Sequence, residues 1–293
     1  MDQPSLWAAV GRAVEDPSAY LVLLTRLIRL ARRARLVLVP GLPCPARIAS
    51  GHMLAVLATA VLGAVIGAST PRLAHRLAVR SGTPARSACD RCAHPFPRGL
   101  TGWLGPAVRC PGCAAGLGPP TWSTTVAGAT TFGLLAAGLA GDPALPAFLA
   151  VAAVGVPLAV IDLISLRLPD PLVAAAGLGA LAGLVAATFA LGTPQPLLRA
   201  LTGALVCTAA YVLLALLPGS RLGFGDVKLA GVLGLPLGWL GWPTVLLGLV
   251  LPHVVNGVVV LGLLLSGRID RRTALPLGPA LLTGALLAAL LGR

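Results

Sequence analysis

Residues 222–229 have the sequence Leu222-Gly223-Phe224-Gly225-Asp226-Val227-Lys228-Leu229, and this stretch separates two strongly apolar segments. It holds the only lysine among the 293 residues of the chain. A carboxylate at the edge of a membrane-length apolar segment is unfavourable, so its presence indicates a functional site. The two glycines leave room for another backbone to approach. A second interpretation is a glycine turn followed by an acid at a helix N-terminus, where the helix dipole stabilises it.

The composition of the whole chain is that of an integral membrane protein. Hydrophobic residues make up 57% of the sequence and charged residues 11%, and the mean hydropathy is +0.90. Soluble domains carry far more charge. The net charge of +13 would suit nucleic acid, but the arginines lie between apolar segments, which is typical of cytoplasmic loops that face anionic headgroups. We therefore expect these charges to meet membrane lipid, and we expect no nucleic acid partner.

Eight apolar segments predict an all-α fold, a polytopic membrane helical bundle. Segments of about 20 residues can cross a hydrocarbon core of about 30 Å, although the sixth is short and Pro236 is expected to break it. Small residues occur in all of them and favour close helix packing in lipid. The predicted spans are residues 52–69, 123–140, 144–166, 171–191, 197–217, 227–241, 243–265 and 274–291.

Basic residues predict the orientation of this bundle. The loops after the first, third, fifth and seventh spans, together with the start of the sixth, hold thirteen lysines and arginines, whereas the opposite side holds only Arg199 and Arg293. The positive-inside rule places the first set in the cytoplasm. We therefore expect a multi-pass protein of the plasma membrane (the inner membrane of a two-membrane cell), with its active site facing the cytoplasm.

Residues 1–51 form a basic N-terminal extension that does not fit this topology. They carry seven arginines, although the predicted orientation places them outside the cell. Five of these arginines interrupt the apolar stretch 21–39, which favours a helix on the membrane surface over a spanning helix. The extension lies on the outer surface, adds another pass, or precedes the true start of the polypeptide. We favour a start at Met53, because it opens directly into the first span.

Two aspartates are expected to meet at the cytoplasmic face. Asp162 lies near the end of the third span and Asp226 opens the sixth, so both are predicted at one membrane depth on different helices. Two neighbouring carboxyl groups share a proton, and the ionised one can activate water while the protonated one polarises a peptide carbonyl. Alternatively, each acid forms an ion pair with a base close to it in sequence, and the candidate bases are Arg167, Lys228 and Arg221.

Four of the six cysteines predict a metal site. They form two CxxC pairs, separated by 17 residues, within a hydrophilic loop at 70–122. This spacing is that of a four-thiolate zinc site, whose zinc would be structural and would fold a zinc-ribbon-like loop with little apolar content of its own. Two disulfides are the alternative, which a cytoplasmic location disfavours. The predicted ligands are Cys89, Cys92, Cys110 and Cys113.

Together these motifs resemble the type IV prepilin peptidases, a family of membrane aspartyl proteases with a GxGD motif. The resemblance covers about residues 53–293 and includes the eight spans and the cysteine loop. It implies a region at 52–122 associated with methyl transfer and a peptidase core at 123–293. The motifs that carry it are Asp162 followed by Leu168-Pro169-Asp170, the stretch from Gly223 to Leu229, and Pro276-Leu277-Gly278-Pro279.

The resemblance also implies a reaction and a set of site residues. Asp162 and Asp226 would be the catalytic pair. Members of the family cut the short basic leader from prepilins and pseudopilins at the cytoplasmic membrane face, after a glycine and before a hydrophobic helix. The supporting residues would be Asp170, Gly223, Gly225 and Lys228.

Many members of the family also methylate the new N-terminal residue with S-adenosylmethionine, and those members carry the same cysteine loop. Two departures weaken this second activity here. The family pattern GSFxNVxxxR has its asparagine where this chain has Pro71, and the family glutamate at the start of the second span is replaced within Thr125-Val126-Ala127. We therefore expect peptidase activity and leave methyl transfer open.

Two functions of other classes fit parts of the sequence. A cation transporter could use intramembrane aspartates as ion ligands, but it would be expected to show internal repeats and broken helices in both halves. A membrane anchor whose zinc ribbon binds a partner would explain the cysteine loop but not the two aspartates.

Overall fold

The computed structural model of the chain describes residues 50–79, 82–105, 109–220, 222–270, 273 and 275–292. This part of the chain is helical, and its isolated β-bridges lie in the cysteine loop. The predictions for residues 1–49 lie outside the described residues. The helices are α1 (Ser50–Leu77), α2 (Leu100–Leu104), α3 (Thr121–Gly138), α4 (Leu145–Ser165), α5 (Asp170–Leu191), α6 (Gln195–Leu216), α7 (Phe224–Leu240), α8 (Trp242–Leu265) and α9 (Gly278–Leu291).

All of these helices except the short α2 coincide with predicted spans, so the predicted all-α bundle is confirmed. Five of them, α1, α4, α5, α6 and α8, are long and apolar enough to cross a membrane, and α9 is a shorter apolar helix. Large apolar side chains cover their outer faces: Phe189 is 83% exposed and Leu205 is 69% exposed. Apolar surface of this extent suits contact with lipid.

The first helix is longer than the predicted span. The predicted span ends at Ser69, whereas α1 continues to Leu77. This extension carries Arg72, His75 and Arg76, and all three side chains are buried. They can be buried because the cysteine loop folds against this end of α1 and supplies hydrogen-bond acceptors to the arginines.

The prediction that Pro236 breaks the sixth span is wrong. Helix α7 runs without interruption from Phe224 to Leu240 with Pro236 inside it. Membrane bundles tolerate such prolines because neighbouring helices stabilise the backbone around them. The nearest neighbour is α6: a β-carbon added to Gly234 would stand 2.7 Å from the Cα atom of Ala204. The backbones of α6 and α7 are therefore in direct contact along this part of α7.

One end of the bundle gathers the segments that the sequence singled out. Helix α4 ends at Ser165, Leu166 takes a left-handed conformation with φ 52°, and α5 begins at Asp170 after a short loop. The start of α7 packs on this loop, since a β-carbon at Gly225 would lie 3.1 Å from the β-carbon of Leu168. The end of α4 and the starts of α5 and α7 are thereby held together.

The α6–α7 contact predicts opposite effects for two glycine substitutions. We expect Gly234→Ala to destabilise the bundle by about 1–3 kcal/mol, because the new methyl group meets the α6 backbone. The matched control is Gly257→Ala on α8, where nothing lies within 4 Å of the added carbon. Alanine has a higher helix propensity than glycine, so Gly257→Ala should leave the free energy of unfolding unchanged or raise it by up to about 1 kcal/mol. Unfolding of the purified variants in detergent measures the free energy of unfolding of each. Equal values for Gly234→Ala and Gly257→Ala would contradict the expectation.

Candidate active site

Asp162 is a buried carboxylate near the end of α4, with 4% of the residue exposed. Its Oδ2 atom accepts a hydrogen bond of 2.8 Å from the backbone N–H of Gly278, the first residue of α9. A carboxylate in apolar surroundings requires a donor of this kind. A β-carbon at Gly278 would stand 2.8 Å from the same oxygen, so a larger residue there would displace the carboxyl group.

Asp226 lies in the first turn of α7 and is partly buried. Its Oδ2 atom accepts a hydrogen bond of 3.3 Å from the backbone N–H of Gly223, the residue before the helix. An acid at this position is also favoured by the helix dipole. Asp226 therefore has the local geometry of an acid at a helix N-terminus. This geometry uses Oδ2 and leaves the other oxygen of the carboxyl group available for other contacts.

The two carboxyl groups lie close enough to interact electrostatically. They belong to different helices, and the structure places both at the end of the bundle where α4 ends and α7 begins. A pair of carboxyl groups in such an apolar environment can hold a single proton between them. The arrangement can therefore supply one acid and one base to a molecule that reaches this end.

Lys228 forms its ion pair with Asp170. The Nζ atom lies 2.7 Å from Asp170 Oδ1, and this contact joins the start of α7 to the start of α5. Both side chains are largely exposed, so the pair stabilises the fold by about 1 kcal/mol or less. Its position beside Asp162 and Asp226 makes it part of the same end of the bundle. The alternative in which Lys228 is the partner of Asp226 is not the arrangement in the structure.

The outer side of the glycine stretch is open. Gly223 is exposed, and Phe224 is 75% exposed. Gly225 instead faces inward, against Leu168. The backbone that precedes Asp226 is therefore accessible to another molecule from outside the bundle.

The four cysteines of the loop come together as their spacing predicts. Their sulfur atoms all lie within 4.8 Å of one another, with Cys89 and Cys113 3.8 Å apart and Cys92 and Cys110 3.5 Å apart. A tetrahedral ion about 2.3 Å from each sulfur would set the sulfurs about 3.8 Å apart. All four are free thiols, which excludes the alternative of two disulfides in this structure. The cluster can therefore hold a metal ion.

The two CxxC segments have the same backbone geometry. The N–H of Cys89 donates to the carbonyl of His94 at 2.9 Å, and the N–H of Cys110 donates to the carbonyl of Ala115 at 2.8 Å. The alanine after each second cysteine is left-handed, with φ of 56° and 55°. Burial opposes ionisation of the Cys110 thiol, but nearby backbone N–H groups and neighbouring thiols outweigh it and lower the pKa to about 7. The same contacts between thiols raise the pKa of Cys92 to about 12, so the cluster holds its protons unequally, and metal binding would release them.

The loop is docked on α1 by arginine side chains. Arg76 donates from Nε to the carbonyl of Arg86 at 3.0 Å and from Nη1 to the carbonyl of Gly102 at 2.9 Å. Its guanidinium also stacks 3.8 Å from the centre of the Trp103 ring. Arg72 adds a further bond from its guanidinium to a loop carbonyl. Sequence reasoning used these arginines only to orient the chain and missed this structural role.

Gly278 is the site residue that sequence reasoning missed most clearly. It belongs to the Pro276–Pro279 motif, but nothing in that motif indicates that a backbone N–H reaches a carboxylate in another helix. The only local signal is a glycine at the first position of an apolar helix, next to Pro279. The pairing with Asp162 joins residues far apart in the chain, so it becomes visible only when the helices are packed.

Comparison with known families places the aspartates inside a recognised domain. A model of the type IV leader peptidase family matches residues 145–267. This range begins at the first residue of α4 and includes Asp162, Asp170, Asp226 and Lys228.

Two curated relatives extend the similarity over most of the chain. The prepilin leader peptidase/N-methyltransferase of Aeromonas salmonicida (strain A449) is 32% identical over 213 residues, which cover 71% of this chain and 72% of the relative. The protein of the same name from Aeromonas hydrophila is also 32% identical over 213 residues, with the same coverage. No solved structure matches the chain.

The cysteine cluster predicts a tightly bound metal ion. We expect about one zinc ion per chain in the purified protein, because four thiolates at this geometry suit zinc. A double variant, Cys89→Ser with Cys92→Ser, should lose it, whereas Cys207→Ser on α6 should retain it. Elemental analysis of the three proteins measures the metal directly. Equal zinc in the wild type and the double variant would contradict the expectation.

Proposed function

The chain belongs to the type IV leader peptidase family, and we propose that it is a prepilin peptidase. It is a membrane aspartyl endopeptidase that cleaves the leader peptide from type IV prepilin-like or pseudopilin precursors. The observation that supports this proposal is that Asp162 and Asp226 lie at the same end of an apolar helical bundle, each accepting a hydrogen bond from a glycine N–H. The peptidase core would comprise residues 123–293, and residues 52–122 would form the region associated with methyl transfer.

In the proposed reaction the two aspartates share one proton. The ionised carboxyl group takes a proton from a water molecule as that water attacks the scissile carbonyl carbon. The protonated carboxyl group polarises the carbonyl oxygen and later gives its proton to the departing amine nitrogen. The apolar surroundings keep the pair singly protonated, because two adjacent negative charges are unfavourable in a medium of low dielectric constant.

Other residues at this end would position the catalytic pair and the substrate. The hydrogen bond from Gly278 fixes one oxygen of Asp162 and thus the direction in which its carboxyl group points. The open backbone at Gly223 would lie beneath an extended segment of the substrate, and Gly225 would support it by packing on Leu168. The ion pair of Lys228 with Asp170 would hold the start of α7 in register with α5.

We assign zinc to the cysteine cluster. Cys89, Cys92, Cys110 and Cys113 would hold it through their sulfur atoms, which already have the spacing of a tetrahedral site. The ion would be structural: it closes a loop that has only a small apolar cluster of its own. The closed loop then packs on the arginine-bearing end of α1.

The relatives' names support methyl transfer as a second activity, for which S-adenosylmethionine would supply the methyl group. The buried end of α1 offers one nitrogen atom that lacks a polar partner within the described chain, Arg72 Nε, whereas His75 Nε2 lies 4.0 Å from a carboxylate oxygen of Asp90. A buried guanidinium suits a carboxylate such as that of the cofactor, so Arg72 would hold it. Pro71 and Ala127 depart from the family pattern, and the peptidase is therefore the primary proposal.

The orientation proposed from the arginines places the aspartate end in the cytoplasm. Arg167 and Lys228 lie at that end, and the arginine-rich loop joins α1 to α3 on the same side. Precursors with a basic leader would meet the enzyme there, at the surface of the plasma membrane. Family membership favours this function over the cation transporter.

Loss of either aspartate should abolish processing. We expect Asp162→Asn and Asp226→Asn each to slow cleavage of a co-expressed prepilin by about 10²- to 10⁴-fold, because each removes an acid or base from the reaction. The matched control is Asp270→Asn, an exposed carboxylate in the loop before α9, which should change the rate by no more than about twofold. Gel separation of precursor and mature protein measures the rate.

Full processing by either aspartate variant would contradict the paired mechanism. The mass of the mature product in the same assay, with and without S-adenosylmethionine, reports whether a methyl group has been added. The peptidase and the methyl transfer are thereby tested separately.

The Gly278 contact predicts a loss of activity without a loss of fold. We expect Gly278→Ala to slow cleavage by about 10²-fold. The new methyl group would stand too close to Asp162 Oδ2 and would push this carboxyl group out of its position. Gly262→Ala on α8, where the added carbon meets nothing within 4 Å, is the control. Thermal unfolding should be similar for both variants. Wild-type cleavage by Gly278→Ala would exclude this positioning role.

A further inference from the structure

Tyr211 is a buried polar residue that the proposed reaction does not yet use. It lies on α6, only 1% of the residue is exposed, and its hydroxyl group has no hydrogen-bond partner within the described chain. Buried hydroxyl groups normally have a partner, because their transfer from water into an apolar environment is otherwise unfavourable. The unpaired hydroxyl group therefore lowers the stability of the bundle, and such exceptions are typical of functional sites.

The packing of α6 on α7 places Tyr211 beside Asp226. The two helices are antiparallel, and a β-carbon added to Gly234 would stand 2.7 Å from the Cα atom of Ala204. Seven residues, which are two helical turns, lead from Ala204 to Tyr211. The same two turns lead back from Gly234 to Val227, the residue after Asp226. Tyr211 therefore lies beside the first turn of α7, and it is close enough to Asp226 for the two groups to interact electrostatically.

The other titratable groups near the Tyr211 ring are weaker acceptors than a carboxylate. Cys207, one turn earlier on α6, is a buried thiol, and sulfur accepts hydrogen bonds weakly. His253 on α8 packs against the ring, with the ring centroids 5.7 Å apart. Its Nδ1 atom lies 2.9 Å from the carbonyl oxygen of Leu249, so the imidazole is a neutral acceptor at Nε2. An ionised Asp226 would attract the phenol hydroxyl more strongly than either group.

Asp226 has an oxygen for this donor. Its Oδ2 atom accepts the N–H of Gly223 at 3.3 Å, whereas Asp162 accepts the N–H of Gly278 at 2.8 Å. The first of these bonds is long for an N–H donor and oxygen acceptor, so Asp226 is the less firmly held of the two acids. Hydrogen bonds at catalytic groups are often long in a free enzyme and shorten when the substrate binds. The hydroxyl group of Tyr211 is a donor already buried beside this acid.

We propose that Tyr211 is a positioning residue of the peptidase and that its hydroxyl group donates to the Asp226 oxygen that Gly223 leaves free. The inference rests on the proposed peptidase function, because it takes Asp226 as one of the two reacting acids. A donor on this oxygen stabilises the ionised form of Asp226. Asp226 then receives the proton of the attacking water, and Asp162 is the acid that protonates the departing nitrogen. Tyr211 acts only through Asp226 and does not contact the substrate.

Tyr211→Phe in the full-length enzyme tests this role, because it removes the hydroxyl group and keeps the ring that packs on His253. The substrate is a synthetic precursor with a basic leader followed by an apolar helix of about 20 residues. We expect kcat to fall by about 10- to 100-fold, because a hydrogen bond to a charged group is lost. The KM should stay within about twofold, since substrate contacts are unchanged. The unfolding temperature should be equal or higher, because an unpaired buried hydroxyl group is removed.

Two matched variants separate this role from general effects. Thr202→Val removes an exposed hydroxyl group from the same helix, one that bonds only to carbonyl groups of α6 itself, and should leave kcat within about twofold. His253→Phe keeps an aromatic ring against Tyr211 and removes the alternative acceptor. It should also leave kcat within about twofold. A loss of kcat in His253→Phe equal to that in Tyr211→Phe would assign the hydroxyl group to the histidine and overturn the proposal.

A double variant tests whether the hydroxyl group acts through Asp226. In an Asp226→Asn background the carboxylate is absent, so adding Tyr211→Phe should change the residual rate by no more than about twofold. A further loss as large as that in the wild-type background would show an effect on the fold or on another group, and it would overturn the proposal.

The kinetic constants also separate this inference from the peptidase itself. A wild-type kcat for Tyr211→Phe, or a raised KM with unchanged kcat, would overturn the positioning role while wild-type cleavage and its loss in Asp226→Asn leave the peptidase intact. If the wild type does not cut the precursor, the peptidase proposal fails and the role of Tyr211 fails with it.

Discussion

A carboxyl group inside an apolar bundle must find a hydrogen-bond donor within the protein, and Asp162 finds one in the backbone N–H of Gly278. The bond joins the end of α4 to the start of α9, two helices that are far apart in sequence. It requires glycine at the donor position, since a β-carbon would meet the accepting oxygen. The arrangement of the aspartate end depends on this contact, because it fixes the orientation of the more deeply buried acid.

The second aspartate is placed by a different constraint. Asp226 is held by the N-terminus of its own helix, and α7 is in turn held against α6 by backbone contact at Gly234. Glycine at this contact allows the two helices to pack closely, and α7 continues through Pro236 to Leu240. A fixed α7 keeps Asp226 at the same end of the bundle as Asp162. In the proposed reaction this rigidity is what allows two carboxyl groups to share one proton.

The cysteine loop allows two arginine side chains at the end of α1 to be buried. The end of α1 carries two buried arginines, and loop carbonyls together with an aromatic ring supply the contacts that water would otherwise provide. The loop can do this because two CxxC turns give it a defined shape around the cluster of sulfur atoms. Loop folding and docking on α1 are therefore coupled, and metal binding by the cluster would be coupled to both. The proposed structural zinc would act on α1 through this chain of contacts, apart from the aspartates.

The sequence by itself determined the features that depend on local composition and spacing. Apolar segments of membrane length predicted the helices, because a span must be long and apolar in one continuous stretch. The spacing of the two CxxC pairs predicted the cluster of Cys89, Cys92, Cys110 and Cys113, because each pair forms its own turn. The alternation of the spans also indicated that Asp162 and Asp226 belong to one membrane face.

Only the tertiary structure decided which groups contact these residues. It paired Asp162 with Gly278 and Lys228 with Asp170, extended α1 beneath the loop, and placed Tyr211 beside the start of α7. Each of these features joins segments that are remote in the chain, and no periodicity or local motif encodes such a contact. The packing of small residues sets how closely the helices approach, and this distance decides which donor reaches a buried acid and where space remains.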